Sequence, residues 1–126
     1  MQREVKDLFM EIKYKTTQIK NICENYGKAK KKYGADVAER LFSAIDFIEA
    51  AASIVDVRNY PPFHFHPLEG DRRNEYTIDL GRKLGFRLIL KPLNNDGTFS
   101  NNEQIYSVKA IEIVVILLEE VSNHYE

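Results

Sequence analysis

The sequence predicts an α+β domain in which an N-terminal strand and a helical hairpin pack on an antiparallel sheet of about four strands. Three observations carry that expectation. Apolar residues recur every three or four positions between residues 17 and 51. They alternate with polar ones over 10–15 and 75–80, and β-branched residues crowd the stretch 105–118.

Met10-Glu-Ile-Lys-Tyr-Lys15 alternates apolar and charged side chains, the period of a half-buried strand. Thr16 or Thr17 then offers an N-cap oxygen. Ile19, Ile22, Cys23 and Tyr26 make a helical stripe, so a first helix is expected over 17–32, with Lys28, Lys30, Lys31 and Lys32 against the negative end of its dipole. Gly34 closes it. Val37, Leu41, Ala44, Ile45 and Ile48 define a second helix over 35–51, antiparallel to the first.

Beyond Asp56 the texture changes. Pro61-Pro62 forbids regular helix, and 57–71 reads as an extended loop. Glu75-Tyr-Thr-Ile-Asp-Leu80 and Phe86-Arg-Leu-Ile-Leu90 read as strands flanking a turn at Gly81–Gly85, and 94–102 is a polar, turn-rich loop. Ile105–Leu118 is expected to be a strand near the sheet centre. The order is β-α-α-β-β-β. Residues 1–9 are expected as a polar lead, and 10–126 as one domain.

Composition narrows the function classes. The chain has 126 residues with 44% apolar, which fits one folded domain rather than a disordered tail. A single cysteine, Cys23, excludes an internal disulfide framework, and no apolar run approaches a bilayer span or a signal-peptide core. A cytoplasmic protein without membrane association is the expectation. The net charge of −1 conceals blocks: residues 1–40 carry ten Lys/Arg against six acids, and residues 57–92 seven against four. Residues 93–126 carry one lysine against six acids, so this is not a uniformly basic duplex-coating chain.

Four places invite chemistry. His64-Phe-His66 puts two imidazoles on one side of an extended segment, but a third ligand is missing nearby, so no metal site is expected. His66-Pro-Leu-Glu-Gly-Asp-Arg-Arg73 ends in two guanidinium forks whose geometry matches phosphate oxygens. The alternative is a solvated loop paired with Glu69, Asp71 or Glu75. Arg87 interrupts an apolar strand and must face solvent, a ligand or a buried acid. His124 and Tyr125 follow the last strand, and either ring can move a proton.

Taken in order, these features resemble the RelE/ParE superfamily of toxins from type II toxin–antitoxin modules, in particular its HigB-like branch. The resemblance runs from about Met10 to Tyr125. Its most specific segment, His66 to Leu80, is similar to the pattern His-x-Leu-Lys-Gly-Asp-Arg-x-Gly-x-aromatic-Ser-x-x-Leu. Phe86-Arg-Leu-Ile-Leu90 is similar to Tyr-Arg-Leu-Ile-Phe. Glu69 stands where the family commonly has lysine, and Asn74 where glycine is common, a position at which Asn tolerates a left-handed turn. The family's terminal Asp-Tyr-His is Ser122-Asn-His-Tyr125 here, which leaves the register of the terminal ring open.

The resemblance implies a ribosome-dependent mRNA endonuclease that inhibits translation. It uses no metal or other cofactor: the ribose 2′-OH attacks the adjacent phosphate. The implied partners are the ribosome, mRNA and a helix-turn-helix, HigA-like antitoxin in a toxin–antitoxin hetero-oligomer. Carried over by position, Arg87, Arg73 and His66 join His124 or Tyr125 as candidate catalytic groups, with Arg87 against phosphate charge. Arg72, Lys30, Lys31, Lys32 and Tyr76 are the candidate RNA contacts, Tyr76 by stacking unless it belongs to the core. Two other functions share this frame: a ParE-like DNA gyrase poison, or a catalytically weak member serving as antitoxin partner or corepressor.

Overall fold

Thr16 begins the helical part of the chain, its hydroxyl accepting a hydrogen bond from Ile19 N at 3.2 Å in a computed structural model that describes residues 9–123. The candidates His124 and Tyr125, and most of the expected N-terminal lead, lie outside the described residues. Strand β1 (Glu11–Tyr14) precedes this cap. Helix α1 spans Thr17–Glu24, and α2 spans Tyr26–Tyr33. The single helix expected over 17–32 is therefore two. The break has a local cause, because Asn25 adopts extended backbone and its side chain accepts from Lys28 N at 3.0 Å, capping the second helix.

Gly34, at φ 90°, turns the chain into α3 (Ala35–Ala50). Val37, Ala38, Leu41, Ala44, Ile45 and Ile48 are buried along it, as the periodicity predicts. A short helix, α4 (Ile54–Arg58), capped by Ser53, runs into the first two residues of the expected loop, which also holds a 3₁₀ turn at Pro61–Phe63. Ser53 supplies the cap that the prolines alone do not reveal.

Strands β2 (His66–Pro67), β3 (Tyr76–Asp79), β4 (Phe86–Leu93) and β5 (Val115–Asn123) complete a five-stranded sheet in the order β1-β5-β4-β3-β2. The domain is α+β as expected, but the sheet is mixed rather than antiparallel: β1 pairs with β5 in parallel, Glu11 opposite Val115 and Tyr14 opposite Leu118. The other three pairings are antiparallel.

The stretch 105–118 is also corrected. Asn101 and Gln104 form a reciprocal capping box on helix α5 (Asn102–Ile105), and Val108–Glu112 is a 3₁₀ turn started by Ser107. The last strand thus begins at Val115 and runs past Leu118 to Asn123. It is central, as expected. Between Ile89 and Leu90 its register shifts: Ile89 faces Glu120 while Leu90 faces Leu118, leaving Glu119 as the extra residue of a β-bulge.

The helices cover one face of this sheet. Ile78, Leu88, Leu90, Ile116 and Leu118 pack there with Ile22, Leu41, Ile45 and Ile48 in one core. Alternation sends Thr77, Arg87, Ile89, Lys91 and Ser122 to the far face.

Candidate functional site

Far-face geometry follows from strand register. Opposite residues of antiparallel neighbours project to the same side, so Asp79, Arg87 and Ser122 form one row across β3, β4 and β5. His66, Thr77, Ile89 and Glu120 form the adjacent row. Arg87 and His66 therefore share a face, two strand spacings across and two residues along, about 12 Å apart at the backbone.

The sequence order Leu-Leu-Glu-Glu-Val over 117–121 breaks strict alternation, and the bulge is the structural answer. It turns Glu119 toward Lys91 on the same side as Glu120. Glu119, whose side chain is only 5% exposed, lies 3.1 Å from Lys15 Nζ and 3.5 Å from Lys91 Nζ. Two cations around one buried carboxylate offset the cost of its desolvation. Lys91 also sits over the Phe99 ring, 4.4 Å from its centroid.

Arg72 is engaged in the same band. Its Nε donates to Glu75 Oε1 at 3.1 Å and its Nη2 to Glu75 Oε2 at 2.8 Å, a side-on bidentate pair. Glu120 Oε1 stands 3.7 Å from the same Nη2. The Arg72 fork holds the Glu75 carboxyl below its ordinary value, and Glu75 in turn raises Arg72. Of the acids the sequence offers this turn, Glu75 is the one that pairs with Arg72. Asn74, in the glycine position of the motif, adopts φ 64°.

Arg87 differs from these cations. Its Nε is buried without a hydrogen-bond partner, and among the described residues no ion pair or hydrogen bond engages its guanidinium. A planar donor fork held in a strand without a partner has the geometry to receive an oxyanion. β5 runs antiparallel to β4 and brings Ser122 opposite it, so the end of the last strand lies beside this arginine.

His66 Nδ1 lies 3.0 Å from the carbonyl oxygen of Pro67. A carbonyl only accepts, so this nitrogen carries the proton, and in the neutral ring Nε2 keeps its lone pair. The His64 ring stands edge-on at 5.2 Å. Arg73 is exposed on the turn before β3, with no ion pair among the described residues. Lys30, Lys31 and Lys32 occupy the last turn of α2, where Tyr33 meets Phe86 ring to ring at 5.6 Å. That contact brings the lysine turn to the Arg87 end of β4, but on the helical side, since Phe86 and Arg87 alternate.

Tyr76 is a core residue and not a stacking platform. It is 1% exposed, stacks on Phe65 at 5.0 Å and donates its hydroxyl to Asn102 Oδ1 at 3.1 Å. Burial pushes its phenol up to about 12. Of the two roles the sequence left open for Tyr76, the core one is realised, because the alternation of β3 puts it with Ile78 on the helical face.

Glu119 and Glu120 are the site residues that motif reasoning passed over. Their signal was present: consecutive acids in an apolar strand. Among the described residues, no helix is long and apolar enough to cross a membrane. No family model matches the sequence. No curated protein matches it significantly either.

Proposed function

We propose that this chain is the toxin of a type II toxin–antitoxin pair, of the HigB-like kind, and that it cuts mRNA on the ribosome. The single observation that carries the proposal is the unpaired guanidinium of Arg87 on a sheet face where Arg72, Lys15 and Lys91 are all neutralised by carboxylates. A structural arginine in a strand this apolar would be paired with an acid. One left free and partly buried suits a ligand that brings its own negative charge, such as a phosphodiester.

In this reading the ribose 2′-oxygen attacks the adjacent phosphorus, an O2′–P bond forms and the P–O5′ bond breaks. The products are a 2′,3′-cyclic phosphate and a 5′-hydroxyl. Arg87 stabilises charge on the non-bridging oxygens. The Nε2 lone pair of His66 takes the 2′-hydroxyl proton, and the ring of His124 or Tyr125 returns a proton to the departing 5′-oxygen. Arg73 and the α2 lysines attract the backbone from the sheet edge. The antitoxin, a helix-turn-helix protein, silences the chain by hetero-oligomer formation in the cytoplasm.

Induction of the wild-type chain and of Arg87→Ala, with mapping of mRNA 5′ ends, tests the reading. New 5′-hydroxyl ends within translated messages are expected for the wild type only. Growth arrest with intact mRNA and DNA damage would assign the fold to gyrase poisoning instead.

A further inference from the structure

We propose that Arg72 is a second phosphate subsite beside Arg87, held closed in the free protein by Glu120; the inference rests on the far face being the RNA-binding face. A guanidinium has two bidentate edges. Glu75 occupies the side-on edge of Arg72, through Nε and Nη2 at 3.1 and 2.8 Å. The end-on edge, Nη1 with the other Nη2 hydrogen, makes no hydrogen bond among the described residues. Its neighbour is Glu120 Oε1 at 3.7 Å, too far to accept a hydrogen bond but close enough to fill the field with a resident anion.

The two carboxylates are held differently. Glu75 is 13% exposed and doubly bonded, so it orients the fork as a positioning residue. Glu120 is 52% exposed and hydrogen-bonds nothing among the described residues, so it is the one that yields. It stands in the row next to Arg87, two residues along β5 from Ser122, or about 6.7 Å of strand. A backbone whose one phosphate rests on Arg87 reaches this position with the next. Its phosphate displaces Glu120, takes the end-on edge, and leaves the Glu75 pair intact.

Binding of a fluorescein-labelled single-stranded RNA decamer to the full chain, followed by anisotropy across a potassium chloride series, tests this. Glu120→Gln, nearly isosteric and at an exposed position, is expected to bind about fivefold tighter at low salt. Arg72→Ala is expected to lower the log–log salt slope by about 0.7, the value for one phosphate of a single strand. In the Arg72→Ala background, Glu120→Gln is expected to gain nothing. Unchanged affinity for Glu120→Gln, or a gain that persists without Arg72, overturns the subsite. If Arg87→Ala weakens binding while Glu120→Gln is neutral, the subsite alone falls; if the wild type binds no RNA, both the subsite and the RNA-binding reading fall.

Discussion

Arg87 and Ser122 face each other across β4 and β5, and the guanidinium has neither hydrogen bond nor ion pair among the described residues. Its removal therefore breaks no bond that the fold uses. Arg87→Ala is expected to lower mRNA cleavage by about 10²–10³-fold, the scale for losing one transition-state donor. Its thermal midpoint should stay within about 2 °C of the wild type. Cleavage mapped alongside a melting curve separates the two effects, and full cleavage by the variant would remove Arg87 from the chemistry.

Tyr76 sets the contrast. Tyr76→Phe deletes the hydroxyl that donates to Asn102 and should cost about 1 kcal/mol in urea denaturation. Cleavage should not change, because the ring belongs to the core. A variant that unfolds as late as the wild type would show that this hydrogen bond contributes nothing net.

Acid exposes the Arg72–Glu75 pair. The carboxyl of Glu75 is held below its ordinary 4.5 by the fork of Arg72. A lowered folded value means that the unfolded chain binds the proton more readily. The stability this supplies is complete above the ordinary value and is lost as pH falls through the folded one. Stability plotted against pH should therefore fall less steeply below about 4.5 for Glu75→Gln than for the wild type. Parallel curves would count against any contribution from the pair.

Gly81 is constrained twice. Its φ is +88°, and a Cβ there would meet Cδ and Nε of Arg40, each at 2.8 Å. Gly81→Ala is expected to cost about 1–2 kcal/mol from the backbone alone, plus displacement of the arginine. Adding Arg40→Ala should recover the second part only. Denaturant midpoints of the two single variants and the double variant measure this, and strict additivity would contradict the contact.

What the sequence made legible was local. The stripe of α3, the cap at Thr16, the glycine at 34 and the alternation of β3 each follow from neighbours within a few residues. The parallel pairing of β1 with β5 is not local: Lys15 and Glu119 meet from 104 positions apart, and no pattern in either strand declares its partner. The helical turns in 102–112 were readable from Asn101 and Gln104, a capping box masked by the β-branched residues that follow. At the site, alternation correctly placed Arg87 with Ile89 and Lys91. Which of three nearby acids pairs with Arg72 required the position of Glu75 in space.

The parallel pairing also bears on how the chain is born. Among the described residues β1 is an edge of the sheet with β5 as its one neighbour, so it waits for a strand about a hundred positions later before a ladder can receive it. During that interval the nascent chain carries the arginine strand with one margin bare. The sheet can therefore zip shut only after Val115–Asn123 has been made and has found both of its neighbours.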